Sequence, residues 1–175
     1  REVDVSIPQK IAMLAEKLDI KCEVVMPLNT SYTTIIDIKD HKTEVRLVGN
    51  NIEESRELFK NEKLNKDTYF LDLANDIDCS LAYASLVDEI LEDLPSTQII
   101  LVPVGTGSLL NGVLEYVKKK KLDIAVYAVE PYNHPTLSKA LENNGPVVLE
   151  NHFSIAENIN GKVISNKFFK NIKDN

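Results

Sequence analysis

Apolar residues follow two spacings along the chain, and these predict helices and strands in alternation. Spacings of three and four residues predict helices over about 11–18, 31–41, 52–64, 79–94 and 108–121. Short apolar runs predict strands at 22–26, 44–48, 68–73, 99–104 and 124–129. Such alternation predicts an α/β fold in which parallel sheets are covered by helices on both faces, in three layers (α/β/α).

A polar break divides this pattern into two lobes. The residues from 73 to 78 read LANDID, and no long apolar run crosses them. We therefore expect a small α/β lobe over 1–75 and a second lobe over 76–175.

One strand leads directly into a glycine turn and a helix, in the segment IILVPVGTGSLLNG at 99–112. The first turn of a helix leaves backbone N–H groups without acceptors, and the helix dipole favours negative charge there. Gly105 and Gly107 permit close approach of the backbone to a ligand. Because the turn carries no basic side chain, its amides would hold the anion, and the segment predicts a phosphate-binding loop. A β-branched residue at Gly107 is then expected to lower ligand affinity at unchanged thermal stability.

Two better-known phosphate motifs fit this segment poorly. A Walker loop needs Lys and then Ser or Thr after Gly112, where Val113 and Leu114 stand. A dinucleotide-binding fingerprint needs a third glycine where Leu110 stands. That alternative stays open, because Glu130 ends the next strand where a ribose-binding acid would lie. A glycine turn that joins strand and helix without any ligand also stays open.

Composition and charge limit the kinds of partner that the protein is expected to bind. Of 175 residues, 43% are hydrophobic and 27% are charged, as in ordinary globular proteins, and the net charge of −7 argues against nucleic acid. No apolar stretch approaches the roughly 20 residues of a membrane span, and no signal peptide is visible. Cys22 and Cys79 are far apart and lack metal-ligand spacing, which predicts reduced, buried thiols in a cytoplasmic protein.

Several segments resemble one family. They are VPVGTGSLLNG at 102–112, VYAVEP at 126–131, KCEVVMP at 21–27, DID at 76–78, ILEDLP at 90–95 and SIAE at 154–157. The first two resemble the second half of pyridoxal-phosphate enzymes of fold type II (tryptophan synthase beta-like), in the threonine/serine dehydratase and serine racemase branch. The others extend this resemblance over most of the chain. The resemblance makes 76–175 part of a large cofactor-binding lobe.

The resemblance implies pyridoxal 5′-phosphate as cofactor and a small amino acid as substrate. Backbone amides of five residues would hold the cofactor phosphate: Gly105, Thr106, Gly107, Ser108 and Leu109. Ser6 stands where an asparagine of the family contacts the ring oxygen. Lyases of this branch convert a hydroxy amino acid to a 2-oxo acid and ammonia, and relatives are commonly dimers, so a homodimer is expected.

The chain also departs from the family. The Schiff-base lysine belongs to a segment that would precede Arg1, and the residue that pairs with the pyridine nitrogen would lie beyond Asn175, so the natural protein is expected to extend at both ends. At 82–85 the chain reads Ala-Tyr-Ala-Ser where the family has Gly-Gln-Gly-Thr. Two alternatives therefore stay open: a non-catalytic member that binds a phosphate-bearing ligand, and a sister synthase such as cysteine synthase or threonine synthase.

A divalent cation site is a further implication of the resemblance. Glu130 matches a carboxylate ligand of the family, and His134 would offer its backbone carbonyl. Thr136 stands where the remaining acid is expected, so one charge is missing. Since hard cations need several oxygen ligands, such a site is expected to bind weakly.

Overall fold

A computed structural model describes the placement of residues 7–62, 66–72, 74–150, 156, 159 and 161–175. Helices and parallel strands follow one another, which confirms the α/β fold class. The chain divides into two units, Arg1–Phe70 and Leu71–Asn175. Within the described ranges, no helix is both long and apolar enough to cross a membrane.

Among its described residues, the first unit contains a pair of parallel strands and three helices. In chain order these are α1 (Ile7–Lys17), β1 (Glu23–Met26), α2 (Tyr32–Lys39), β2 (Glu44–Leu47) and α3 (Ile52–Lys60). Glu23 lies opposite Glu44 in the parallel register. Ser31 and Asn51 cap α2 and α3, because each side chain accepts a backbone N–H from the first turn. Buried apolar side chains of this unit are Ala12, Ile38 and Phe59.

The second unit contains the glycine turn. Its elements are α4 (Ile77–Ala82), α5 (Ala84–Asp93), β3 (Ile99–Pro103), α6 (Ser108–Lys120), β4 (Ala125–Val129), α7 (Thr136–Glu142) and α8 (Asn166–Lys173). Strands β3 and β4 pair in parallel, with Ile99 opposite Ala125 and Pro103 opposite Val129. Its core includes these buried residues of the described ranges: Val87, Ile100, Val102, Val104, Leu110, Val113, Leu137, Ala140, Ile164, Phe168, Phe169 and Ile172.

Helices cover one face of the β3–β4 pair. Ile100 and Val102 point into the core, while Leu101 is 66% exposed and Tyr127 is 57% exposed. Covering on both faces, which the alternation of elements predicts, is therefore not seen for this pair among the described residues. Alternation in β3 places half of an apolar strand on each face, so the open face is apolar.

The structure differs from the predicted elements in three places. Residues 68–72 form no strand; Phe70 packs its ring 5.1 Å from that of Phe59, and Asp72 accepts the N–H of Ala74 in a turn. The predicted helix at 79–94 is two helices that meet at Tyr83. Helices α7 and α8 were not predicted, although Ser165 gives α8 a regular N-cap.

Neither cysteine forms a disulfide in the described part of the chain, and neither is fully buried, so the prediction of buried thiols is wrong. Cys22 and Cys79 are free thiols with half-buried side chains. Burial and the carboxylates of Asp76, Asp78 and Asp72 raise the pKa of Cys79 above its ordinary value. The thiolate is therefore disfavoured at Cys79.

Candidate functional site

The glycine turn joins the end of β3 to the beginning of α6. Gly107 is the N-cap residue, with a positive φ of 89°, and its carbonyl oxygen accepts the N–H of Asn111 at 2.9 Å. No side chain caps this helix among the described residues. Helix geometry thus leaves the amides of Ser108, Leu109 and Leu110 without intrahelical acceptors, at the positive end of the dipole.

The loop side chains fit a phosphate group. Ser108 Oγ is buried, and it has no hydrogen-bond partner in the described part of the chain. A buried hydroxyl in this state costs about 1–3 kcal/mol, which an acceptor bound at the loop would offset. Thr106 is exposed and Gly105 half-buried, so the loop is open on the side of Thr106. Amides, dipole and hydroxyl thus form a donor set for an anion.

Gly107 is constrained by packing as well as by its backbone conformation. A Cβ atom there would lie 3.2 Å from Cγ2 of Ile164 and 3.4 Å from Cδ1 of Ile172, both core side chains. Its φ lies in the left-handed region that favours glycine. A β-branched residue at Gly107 would therefore disturb the core, and the expectation of unchanged thermal stability is replaced by one of lower stability.

A buried hydrogen-bond network holds the first turn of α6. Ser80 Oγ donates to the carbonyl oxygen of Ser108 at 2.7 Å, and Asn111 Nδ2 donates to Ser80 Oγ at 2.8 Å. Asn171 Nδ2 donates to Asn111 Oδ1 at 2.8 Å. The network connects α4, α6 and α8 behind the loop. Sequence reasoning missed it, although Asn111 on the apolar face of a predicted helix was a usable signal.

Helices α4 and α6 approach closely at Gly112. A Cβ atom on Gly112 would lie 2.1 Å from the carbonyl oxygen of Ser80. This contact explains the glycine in the middle of α6, where helix propensity alone disfavours it. The two helices therefore position the loop as one packed element.

The three residues that the resemblance assigns to a cation have other contacts. The carboxylate of Glu130 accepts the backbone N–H groups of Leu137 and Ser138 at the beginning of α7. The carbonyl oxygen of His134 accepts the N–H of Thr136 at 3.0 Å. No cluster of three or more His, Cys, Asp or Glu suited to a metal occurs among the residues that the structure describes. Cation binding here stays a prediction that these contacts do not favour.

Gly161 lies against the beginning of the loop, a contact that the sequence did not reveal. A Cβ atom on Gly161 would lie 2.3 Å from the carbonyl oxygen of Gly105. The Gly161 carbonyl oxygen accepts the hydroxyl of Thr136 at 2.5 Å and lies 3.0 Å from Nε2 of His134.

Other candidate positions lie elsewhere. Ser6 and most of the segment 154–157 are outside the described residues. The stretch 82–85 spans the junction of α4 and α5, where Tyr83 is half-buried. Burial, with a smaller contribution from the Cys79 thiolate, raises the pKa of Tyr83.

Known proteins share both sequence and fold with this chain. An L-threonine ammonia-lyase of Thermotoga maritima is 26% identical over 165 residues, which are 94% of this chain and 41% of that protein. Threonine deaminase isoform 2 of Solanum lycopersicum superposes with a TM-score of 0.84 at 21% identity, over 97% of this chain and 47% of the other. Maize serine racemase superposes with a TM-score of 0.85 at 18% identity, over 95% and 50%.

These relatives are longer than the chain, which spans less than half of the Thermotoga protein and about half of the two structures. At such identities, the superpositions show the fold. The family itself is shown by its sequence profile, described as pyridoxal-phosphate dependent enzyme, which matches residues 9–175. This chain therefore belongs to the pyridoxal-phosphate dependent enzyme family, as its motifs predict.

Proposed function

We propose that the protein containing this chain is a pyridoxal-phosphate-dependent lyase, and that residues 105–109 hold the cofactor phosphate. The observation that carries this proposal is the first turn of α6, where amides without intrahelical acceptors follow a left-handed glycine, beside the buried hydroxyl of Ser108, which has no partner among the described residues. Family membership supplies the identity of the phosphate-bearing ligand.

In this proposal, the residues of this chain bind the cofactor phosphate and orient the groups that hold it. The amides of Ser108 and Leu109 donate to the phosphate oxygens, and the Ser108 hydroxyl adds a third donor. The network of Ser80, Asn111 and Asn171 fixes the direction of these amides. When bound, pyridoxal phosphate serves as an electron sink for the substrate carbon that loses its proton.

We assign the reaction to deamination of a hydroxy amino acid, such as threonine or serine, to a 2-oxo acid and ammonia. The support is that relatives matched over nearly the whole chain are named threonine ammonia-lyase or threonine dehydratase. Formation of a homodimer is a further part of the proposal, and sedimentation of the protein at its natural length tests it.

The test is an assay of the protein at its natural length with pyridoxal phosphate and either threonine or serine. Release of ammonia in equal amount to 2-oxobutanoate or pyruvate is the expected result. Absence of both products would overturn the assignment to a lyase. Binding of the cofactor without turnover would identify a non-catalytic member, and formation of cysteine from an activated serine and sulfide would identify a synthase.

A further inference from the structure

Two buried side chains hold the carbonyl oxygen of Gly161. His134 Nε2 lies 3.0 Å from this oxygen, and Thr136 Oγ1 donates to it at 2.5 Å. Because a carbonyl oxygen only accepts, the His134 ring carries a proton on Nε2. His134 and Thr136 are 1% and 2% exposed, so water does not compete for either bond.

Gly161 also lies directly against the beginning of the loop. Its Cα lies so close to Gly105 that a Cβ atom would be 2.3 Å from the Gly105 carbonyl oxygen and 3.2 Å from its Cα. Two backbones in such contact leave Gly105 no room to move toward Gly161. The position of the Gly161 backbone therefore limits where Gly105, at the beginning of the loop, can lie.

We infer that His134 and Thr136 are positioning residues for the phosphate loop, acting through Gly161 on Gly105. The inference rests on the proposed function, because it concerns how firmly residues 105–109 hold a phosphate. It also explains a threonine at position 136, where the resemblance implies an acidic cation ligand: the Thr136 hydroxyl bonds the Gly161 carbonyl oxygen instead. Since Glu130 is bonded to the beginning of α7, we expect the loop to keep its geometry without a divalent cation.

The experiment compares the affinities for pyridoxamine 5′-phosphate and pyridoxamine, measured by calorimetry on the protein at its natural length. Neither probe has the aldehyde that reacts with surface lysines. The ratio of the two affinities isolates the contribution of the phosphate. Thr136→Val removes the hydroxyl at nearly constant shape and is expected to lower this ratio about three- to tenfold. Thr136→Ser keeps the hydroxyl and is expected to restore the ratio.

A matched control separates positioning from general destabilisation. Thr43 is also a buried threonine, and its hydroxyl donates to the carbonyl oxygen of His41 in the other unit. Thr43→Val is expected to leave the affinity ratio unchanged even where it lowers thermal stability. A ratio that Thr136→Val leaves unchanged would overturn the inference while the proposed function stands. A wild-type ratio near one would overturn both.

A second measurement uses the wild-type protein alone, so it does not depend on whether a variant folds. We expect the same affinity ratio after treatment with EDTA and after addition of Mg²⁺ or Ca²⁺. A ratio that falls with EDTA and returns with Mg²⁺ would show that a cation, rather than these two side chains, sets the loop.

Discussion

Asn171 donates its side-chain amide to Oδ1 of Asn111 across 2.8 Å, joining α8 to the first turns of α6. Because Asn111 is 1% exposed, truncation of Asn171 leaves a buried acceptor without this donor. We expect Asn171→Ala to lower the free energy of unfolding by about 1–3 kcal/mol, measured by urea denaturation. Lys170→Ala, on an exposed neighbour in the same helix, is the control and should change it by less than about 0.5 kcal/mol. Equal effects would refute this role.

Gly112 and Gly145 form a pair of glycines for which opposite effects are expected. Alanine normally stabilises a helix interior by about 1 kcal/mol relative to glycine. At Gly112, however, the added Cβ meets the Ser80 carbonyl oxygen at 2.1 Å, so Gly112→Ala should destabilise by about 1–3 kcal/mol. At Gly145 the Cβ has open space, so Gly145→Ala should stabilise by about 0.4–1 kcal/mol. Chemical denaturation of both variants checks the signs, and a gain at Gly112 would contradict the close approach of α4 and α6.

Gly107 tests the structural role of the left-handed N-cap. We expect Gly107→Val to lower the thermal midpoint, because φ is +89° and the new side chain meets Ile164. A thermal scan of the unliganded protein is the measurement. An unchanged midpoint would mean that the glycine serves ligand approach alone.

The raised pKa of the Cys79 thiol predicts how fast this thiol is alkylated at a given pH. Its pKa is raised by burial first and then by Asp76, Asp78 and Asp72, so the thiol stays protonated to higher pH than usual. Its alkylation by iodoacetamide at pH 8 should therefore be slow, and Asp78→Asn should accelerate it. Asp88→Asn is the control, because the Asp88 carboxylate accepts the Tyr116 hydroxyl and is not among the groups that raise the pKa of Cys79.

The raised pKa of Cys79 also determines how the free energy of unfolding changes with pH. Since the folded-state pKa of Cys79 lies above the ordinary 9.0, its contribution to the free energy of unfolding is full below about pH 9. It is lost as the pH rises through the folded-state value. A Cys79→Ser protein should show less of this alkaline loss, and an identical pH profile would contradict the shift.

Periodicity predicted most of the fold because most elements have one apolar face. Helix α8 escaped this reasoning, since its buried Phe168, Phe169 and Ile172 stand among lysines and asparagines in a polar tail. The strand predicted at 68–73 is wrong for the described residues 68–72. The aromatic side chain of Phe70 packs against Phe59, and its backbone pairs with no neighbouring strand in the described part of the chain. Local pattern does not distinguish these cases; tertiary packing does.

At the site, the glycine turn was predictable because glycines between a strand and a helix are a local signal. Its supports were not, since Ser80, Asn111 and Asn171 are far apart in sequence. Gly161 escaped for another reason: its importance comes from the distance between two backbones, which side-chain identity does not encode.

The most direct test of phosphate binding at residues 105–109 is to place a negative charge in the loop. Thr106 is exposed, so Thr106→Glu should fold normally while its carboxylate repels a bound phosphate, and Thr106→Gln supplies the same shape without charge. We would measure affinities for pyridoxamine 5′-phosphate and pyridoxamine in wild type and both variants. We expect wild type to prefer the phosphorylated compound, and this preference to fall at least about tenfold in Thr106→Glu and to persist in Thr106→Gln. A wild-type protein without that preference, or a preference that Thr106→Glu leaves intact, would contradict phosphate binding at residues 105–109.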